Sequence, residues 1–246
     1  MHRFYVSPES VSGDCIEILG GSVHHIHHVL RLQPMDEVAL FDGSGRQYVG
    51  RIVKMTSHVI TVSVQHIDQP LDSRRASVTL VQAMPRHSKI ESIIEKATEL
   101  GVDRVIPIQT ARTVPLLLGR AERMAARQAR WQRIAIEAAQ QSSRRTIPAI
   151  DSVKTLADVL PVCRVAALSL LAAVRPDTQP LWKVLEETGN VRSVVVLVGP
   201  EGDFTDEEVC DAQESGCRVI SIGSTVLRCE TAAVALLAMV NYATMR

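Results

Sequence analysis

The chain has 246 residues, of which 46% are hydrophobic and 22% charged, a composition typical of a globular protein with one or two domains. No apolar run approaches the ~18 residues that a membrane-spanning helix needs, and the first residues lack the apolar core of a signal peptide. The 5 cysteines include no Cys-x-x-Cys pair, which argues against a disulfide framework or a cysteine zinc site and favours a cytoplasmic protein.

The formal net charge of zero is unevenly distributed along the chain. Residues 74–145 carry 14 Lys/Arg against 6 Asp/Glu, whereas residues 1–73 carry 5 against 8 and residues 146–246 carry 8 against 13. Arginine dominates this basic block, and its planar guanidinium suits forked contacts to phosphate oxygens. The block therefore predicts a nucleic-acid partner, with a solvated helix surface as the alternative.

Residues 1–70 have the pattern of β-structure. Apolar and polar residues alternate over 36–55 on both sides of Asp42-Gly43-Ser44-Gly45, a hairpin-type turn, and again over 59–67. These strands predict a small barrel or sandwich. The stretch 68–76 is predicted to be a linker.

From residue 76 the pattern changes to strands that alternate with helices. Strands are predicted at 77–84, 102–109, 164–173, 193–198 and 218–223, and helices at 89–101, 119–143, 178–188, 205–215 and 229–244. This alternation predicts an α/β domain with a mostly parallel sheet. Gly101 is a predicted helix C-cap, and Trp131 and Trp182 are predicted to belong to the core.

The turn after the strand 193–198 has an unusual composition. Gly199-Pro200-Glu201-Gly202 lacks the lysine of a P-loop and the spacing of a dinucleotide-binding turn, and Glu201 would repel a phosphate. A neutral or cationic ligand remains compatible with it, and so does a plain strand-to-helix turn. A second loop, 223–231, also begins with glycine and carries a glutamate.

Five stretches in order carry a resemblance to a known family: HHVLRL, EKATELGVDRVIP, RWQRIAIEAAQQSSR, VGPEGDF and LRCETA. Together they resemble the SPOUT-superfamily methyltransferases that methylate uridine N3 in 16S ribosomal RNA. The resemblance implies a PUA-like β-barrel RNA-binding domain at 1–72 and a SPOUT methyltransferase domain with a trefoil knot at 76–246. It also implies S-adenosylmethionine as cofactor, the small ribosomal subunit as partner, and a homodimer.

The resemblance assigns roles position by position. The implied cofactor-binding residues are Gly199, Pro200, Glu201, Gly202, Ile222, Gly223, Leu227, Thr231 and Ala232. The implied RNA-binding residues are Arg31, Arg86, Lys89, Arg112, Arg130 and Arg144, and Lys96, Glu99 and Gln141 match further motif positions. The candidate catalytic residues are Arg228, to stabilise a uracil anion, and Glu230 or Glu201, to accept its proton.

Four positions in three places depart from the family pattern, because Asp203 replaces a glycine, Ser224-Thr225 replaces Pro-Arg, and Cys229 replaces a threonine. Two alternative functions therefore stay open: methylation of another RNA, such as a tRNA ribose, and a ribosome-assembly factor that has lost catalysis. A nucleotide hydrolase is disfavoured by the missing P-loop lysine. The histidine run at 24–28 has no accompanying cysteine or spaced carboxylate, and no metal site is predicted.

Overall fold

The computed structural model describes residues 1–69, 76–86, 89–113 and 121–244. The chain divides into two compact units, one built from the N-terminal part together with 139–147 and the other from the remainder. Most of the predicted linker 68–76 lies outside the described residues, as do residues 119–120 of the predicted long helix. Among the described residues, no helix is both long and apolar enough to cross a membrane.

The first unit contains a six-stranded sheet in the order β1-β4-β5-β6-β3-β2. Its neighbouring strands are antiparallel except for the parallel pair β1 and β4. A short helix, α1, continues as one π-helical turn, His25–Leu30. The bounds are β1 His2–Tyr5, β2 Val11–Ser12, β3 Cys15–Leu19, α1 Gly21–His24, β4 Glu37–Phe41, β5 Gln47–Met55 and β6 Val59–Asp68.

Alternation along these strands puts apolar side chains on one face, where they form the core of the first unit, as with Ile16 and Ile18 of β3. The predicted hairpin between β4 and β5 is confirmed. Its turn needs glycine at two positions, because Gly43 and Gly45 have φ of 84° and 101°. The Asp42 carboxylate stabilises the turn by accepting hydrogen bonds from the Ser44 N–H and the Tyr48 hydroxyl, both at 2.9 Å.

Residues 139–147, which comprise the last three residues of the helix 121–141 and the segment after it, belong to the first unit. The Tyr5 N–H donates to Gln140 Oε1 at 3.1 Å, and Arg3 Nη2 donates to the Arg144 carbonyl at 2.8 Å. Arg145 forms an ion pair of 3.1 Å with Asp68. The sequence assigned residues 1–72 to the first domain and 76–246 to the second, and so did not predict that 139–147 group with the first unit.

The second unit contains a parallel sheet in the order β10-β8-β7-β13-β11-β14-β12, with β9 beside β8. All its strand pairs are parallel. The bounds are β7 Ser77–Ala83, α2 Lys89–Glu99, β8 Arg104–Gln109, α3 Ala121–Gln141, β9 Ala149–Ile150, β10 Lys154–Thr155, α4 Leu156–Val165, β11 Leu168–Ala172, β12 Gln179–Pro180, α5 Leu181–Thr188, β13 Ser193–Val198, α6 Asp206–Glu214, β14 Cys217–Ser221 and α7 Cys229–Thr244. The predicted α/β architecture is confirmed.

Two local predictions were wrong. The strand predicted at 164–173 begins only at Leu168, because α4 continues to Val165 from a capping box formed by Thr155 and Asp158. Trp131 is buried as predicted, but Trp182 is 63% exposed. The short helix α5 buries Leu181 and Val184 on its covered face, which leaves Trp182 outside the core.

The parallel arrangement determines where the loops meet. Since parallel strands all end at the same edge of a sheet, the segments that follow β7, β8, β11, β13 and β14 emerge side by side. Strand β11 lies between β13 and β14, so the loops after those two strands flank the segment that follows β11. Ligands of open α/β sheets bind at this carboxyl edge.

Candidate active site

The first glycine loop, 199–204, leaves the buried strand β13 in a tight turn. A Cβ at Gly199 would lie 3.2 Å from Asp203 and Phe204, closer than a side chain is normally accommodated. A Cβ at Gly202 would lie 3.3 Å from the Arg112 side chain. Both glycines are therefore tightly packed, and a side chain at either position would displace its neighbours by a few tenths of an ångström.

Asp203 occupies a position where the backbone has φ of 61°. A glycine would adopt this conformation freely, and aspartate tolerates it better than most residues do. The two oxygens of its carboxylate accept hydrogen bonds from different N–H groups, Phe204 at 2.8 Å and Val174 at 3.2 Å. The departure from the family glycine thus adds a bond between the first loop and the segment after β11.

Arg112, which follows β8, also holds the first loop. Its Nη1 donates to the Gly202 carbonyl at 2.7 Å and to the Phe204 carbonyl at 3.3 Å. The next helix, α6, begins with a capping box in which the Thr205 hydroxyl and the Glu208 carboxylate satisfy each other's backbone N–H groups. Arg112 is exposed, and its predicted role in RNA binding stays a prediction beside these contacts with the loop carbonyls.

The second loop, 222–231, runs into the first turn of α7 and is more open before residue 229. Residues 223–226 are exposed, Val226 to 78%, and a Cβ at Gly223 would meet no atom within 4 Å. Leu227 is half-buried and Arg228 is exposed. The Arg228 carbonyl accepts the Ala232 N–H at 2.8 Å, where α7 begins.

Lys89, the first residue of α2, lies between the glutamates of the two loops. Its Nζ is 3.1 Å from Glu230 Oε1 and 3.6 Å from Glu201 Oε1. Glu201 also accepts the Arg86 backbone N–H at 3.1 Å. Each of the three charged side chains is only about a third exposed, at 31% for Lys89, 28% for Glu201 and 27% for Glu230.

These contacts change the acidity of the groups involved. Hydrogen bonds from its own backbone N–H, from Cys229 and from Lys89 hold the pKa of Glu230 below its usual value. The hydrogen bond to Glu230 raises the pKa of Lys89, so this amine stays protonated. Burial, reinforced by the hydrogen bond of its thiol to Glu230, raises the pKa of Cys229 to about 12.

The other predicted RNA-binding residues lie on several elements. Arg86 is exposed in the segment after β7, beside the glycine loops. Arg130 on α3 is 62% exposed and pairs with Glu91 at 2.8 Å. Arg31 and Arg144 belong to the first unit, where Arg31 is exposed and Arg144 Nε donates to the Thr146 hydroxyl at 3.0 Å. The motif residues Lys96 and Glu99 form an ion pair on α2 at 2.9 Å, and Gln141 is exposed at the end of α3.

Sequence reasoning missed two parts of this arrangement. It assigned no role to Val174, whose backbone N–H contacts the first loop, and it did not predict the bridge formed by Lys89. Neither contact has a signal in the local sequence. No three His, Cys, Asp or Glu residues of the described chain are grouped as metal ligands would be. His24 and His28 stack on each other with ring centroids 4.3 Å apart.

The residues present fit a small organic cation better than a phosphate. The first loop lacks one N–H at Pro200 and carries Glu201, whereas a Cβ at Gly223 would meet no protein atom within 4 Å. The carboxylates of both loops lie close to this edge, with one lysine between them. S-adenosylmethionine, in which a nucleoside is joined to a sulfonium, matches this chemistry.

Comparison with known proteins gives a consistent result. The RNA methyltransferase domain family matches residues 72–241, and the RNA methyltransferase PUA domain family matches residues 18–65. Ribosomal RNA small subunit methyltransferase E of Synechocystis is 32% identical over 98% of this chain and 77% of its own. The enzyme of that name from Neisseria gonorrhoeae, solved with S-adenosylmethionine, is 29% identical, with a TM-score of 0.84 over 97% of this chain and 96% of its own. A Legionella pneumophila methyltransferase, also solved with the cofactor, is 26% identical, with a TM-score of 0.86 over 98% and 97%.

Proposed function

The chain belongs to the RNA methyltransferase family, and we propose that it methylates N3 of a uridine in 16S ribosomal RNA of the small subunit. It is an enzyme that uses S-adenosylmethionine. The observation that carries the proposal is the pair of glycine loops at the carboxyl edge of the sheet, whose glutamates share Lys89. The choice of uridine N3 rests on the resemblance in sequence.

The cofactor is proposed to bind between the two loops. The first loop would contribute Gly199 to Gly202, and the second Ile222, Gly223, Leu227, Thr231 and Ala232. The open space in front of Gly223 supports this assignment. When bound, S-adenosylmethionine supplies an electrophilic methyl group.

The protein must prepare a poor nucleophile, because N3 of uracil is an imide nitrogen until its proton leaves. Glu201 and Glu230 are proposed near the reacting atoms, but each already accepts hydrogen bonds, and the lowered pKa of Glu230 makes it a weak base. Arg228 is exposed, and no carboxylate of the described residues lies within ion-pair distance of it. We therefore assign to Arg228 the stabilisation of negative charge on the uracil oxygens.

Replacing Arg228 tests this role. The variant Arg228→Ala is expected to lose methyl transfer by roughly 100-fold or more, as removal of one charge-stabilising donor does. Its affinity for S-adenosylmethionine, measured by calorimetry, should stay close to that of the wild type. Arg192→Ala removes another exposed arginine of the same unit and serves as the control. Turnover of Arg228→Ala like that of the control would exclude the role.

RNA binding is proposed to involve both units. Arg31 and Arg144 lie in the first unit, and Arg86, Lys89, Arg112 and Arg130 lie in the second. Lys89 pairs with Glu230 and Glu201, so we assign it no phosphate contact. The exposed Arg86, Arg112 and Arg130 remain candidates, with Arg112 also donating to the first loop and Arg130 also pairing with Glu91. Replacing Arg130 and Arg144 by alanine, separately and together, should weaken RNA binding and flatten its salt dependence. An unchanged slope would mean that neither contacts a phosphate.

The decisive experiment is methyl transfer from labelled S-adenosylmethionine to small ribosomal subunits that lack their native methylation, followed by mapping of the modified base. Label at uridine N3 supports the proposal. Cofactor binding without transfer to these particles would favour another RNA as substrate. No cofactor binding would favour an assembly factor that has lost catalysis.

The trefoil knot and the cytoplasmic location of the protein stay predictions. We also propose that the protein forms a homodimer. A groove of about 550 Å³ beside α5 and α7 is the face where we expect two copies to meet. It is lined mainly by apolar side chains, among them the exposed Trp182 and Tyr242. Sedimentation of the wild type and of Trp182→Glu tests this. A wild type that stays monomeric at all concentrations would contradict the homodimer.

A further inference from the structure

Lys89 occupies a position that the sequence assigned to RNA contact, yet in this structure it forms a partly exposed linkage between two carboxylates. Its Nζ lies 3.1 Å from Glu230 of the second loop and 3.6 Å from Glu201 of the first. Its side chain is 31% exposed, so most of it is covered by protein. We propose that Lys89 is a positioning residue that holds the two cofactor loops at a fixed separation. This inference rests on the proposed cofactor site.

Electrostatics supports a role for the charge itself. The two carboxylates lie within 3.6 Å of the same nitrogen, which puts them closer to each other than the Debye length of about 8 Å. Without a cation between them they would repel each other, and the loops that carry them would separate. The Lys89 ammonium attracts both carboxylates and so offsets the repulsion between them.

The linkage also reaches the rest of the sheet edge. Glu201 accepts the Arg86 backbone N–H, so the segment after β7, the start of α2 and the first loop form one connected unit. Glu230 lies in the first turn of α7, and α7 packs along α2, where the Asn241 side chain donates to the Leu100 carbonyl. Lys89 thus links the N-terminal ends of α2 and α7, two helices that also contact each other along their length.

The RNA-binding alternative makes a different prediction. A lysine that contacts phosphate would affect RNA affinity and its salt dependence and leave cofactor affinity unchanged. A positioning lysine would affect cofactor affinity and leave RNA affinity and its salt dependence unchanged. The backbone contact of Arg86 survives removal of the Arg86 side chain, so Arg86→Ala reports on RNA contact at the same edge without breaking the linkage.

The test compares Lys89→Met, Lys89→Arg and Lys96→Met. Lys96 lies on the same helix and pairs with Glu95 and Glu99 away from the loops, so Lys96→Met controls for loss of a lysine from α2. We expect Lys89→Met to bind S-adenosylmethionine roughly tenfold more weakly, to raise the KM for the cofactor, and to keep the RNA affinity of the wild type. Lys89→Arg, which keeps the cation, should stay within about threefold of the wild type.

A measurement without cofactor separates this inference from the proposed function. Hydrogen exchange of peptides covering 199–204 and 222–231 should be faster in Lys89→Met than in Lys96→Met, while the core strands exchange at equal rates. If the wild type binds no S-adenosylmethionine, the proposed function fails, and faster exchange would still support the linkage. Equal exchange in the two variants, or cofactor affinity of Lys89→Met within twofold of the wild type, would overturn it.

Discussion

The two loops at the carboxyl edge of the sheet differ in how firmly the protein holds them. Arg112 donates to two carbonyls of the first loop, and the Asp203 carboxylate accepts from two N–H groups. Between residues 222 and 228, within the part of the chain that the structure describes, the Arg228 carbonyl makes the one hydrogen bond that we find, to the Ala232 N–H. Hydrogen bonds therefore hold the first loop more firmly than the second.

The glycines of the two loops show the same difference. Gly199 is enclosed, since an added Cβ would lie 3.2 Å from Asp203 and Phe204, whereas a Cβ at Gly223 would point into open space. One glycine is tightly enclosed by protein atoms, and the other is open to solvent. The two loops therefore both start with glycine, but the packing around the two glycines is different.

Valine substitutions at these glycines should produce the largest effects. Gly199→Val overpacks the first loop and should lower the free energy of unfolding by about 1–3 kcal/mol, with loss of cofactor binding. Gly223→Val should leave the melting temperature unchanged but abolish cofactor binding, because its side chain fills the ligand space. Thermal unfolding and calorimetry measure the two quantities on each variant. Undiminished cofactor binding by Gly223→Val would show that the ligand lies elsewhere.

Substitutions of Asp203 test how the first loop is fixed, with a smaller expected effect. Asp203→Ala loses both accepted hydrogen bonds and keeps a Cβ at positive φ, so it should destabilise by about 2 kcal/mol. Asp203→Gly loses the same bonds but relaxes the backbone, and Asp203→Asn keeps one acceptor. We expect the free energy of unfolding, measured by urea denaturation, to fall in the order Asp, Asn, Gly, Ala, with the wild-type Asp highest. An alanine variant as stable as the wild type would mean that the carboxylate bonds contribute nothing.

Much of the fold could be predicted from periodicity. The strand 193–198 and the helix 229–244 were predicted with the bounds that the structure has, because a buried apolar run and a long helical pattern are strong signals. Helix α4 was missed, and its end was assigned to the following strand. Pro161 lies inside it and Arg164-Val165 continue into an apolar run, so the local pattern did not distinguish helix from strand.

The site could be predicted only in part. Both glycine loops were recognisable from sequence, but the contact of Lys89 with Glu230 joins residues 141 positions apart. That contact exists because parallel strands bring their ends to one edge, and no spacing within the sequence encodes it. The exposure of Trp182 has a similar cause, since which face of a short helix is covered depends on its neighbours.

Cysteine labelling tests the openness of the second loop with the smallest expected effect. Cys229 is buried where this loop meets α7, and its pKa is raised to about 12, so the thiol stays protonated at pH 8. Iodoacetamide at pH 8 should therefore modify the exposed Cys210 of α6 well before Cys229, as peptide mass spectrometry can measure. Unfolding in urea should bring the two rates together. If Cys229 reacts as fast as Cys210 in the folded protein, the second loop opens far enough to expose the start of α7, and the contrast between the loops is larger than their hydrogen bonds indicate.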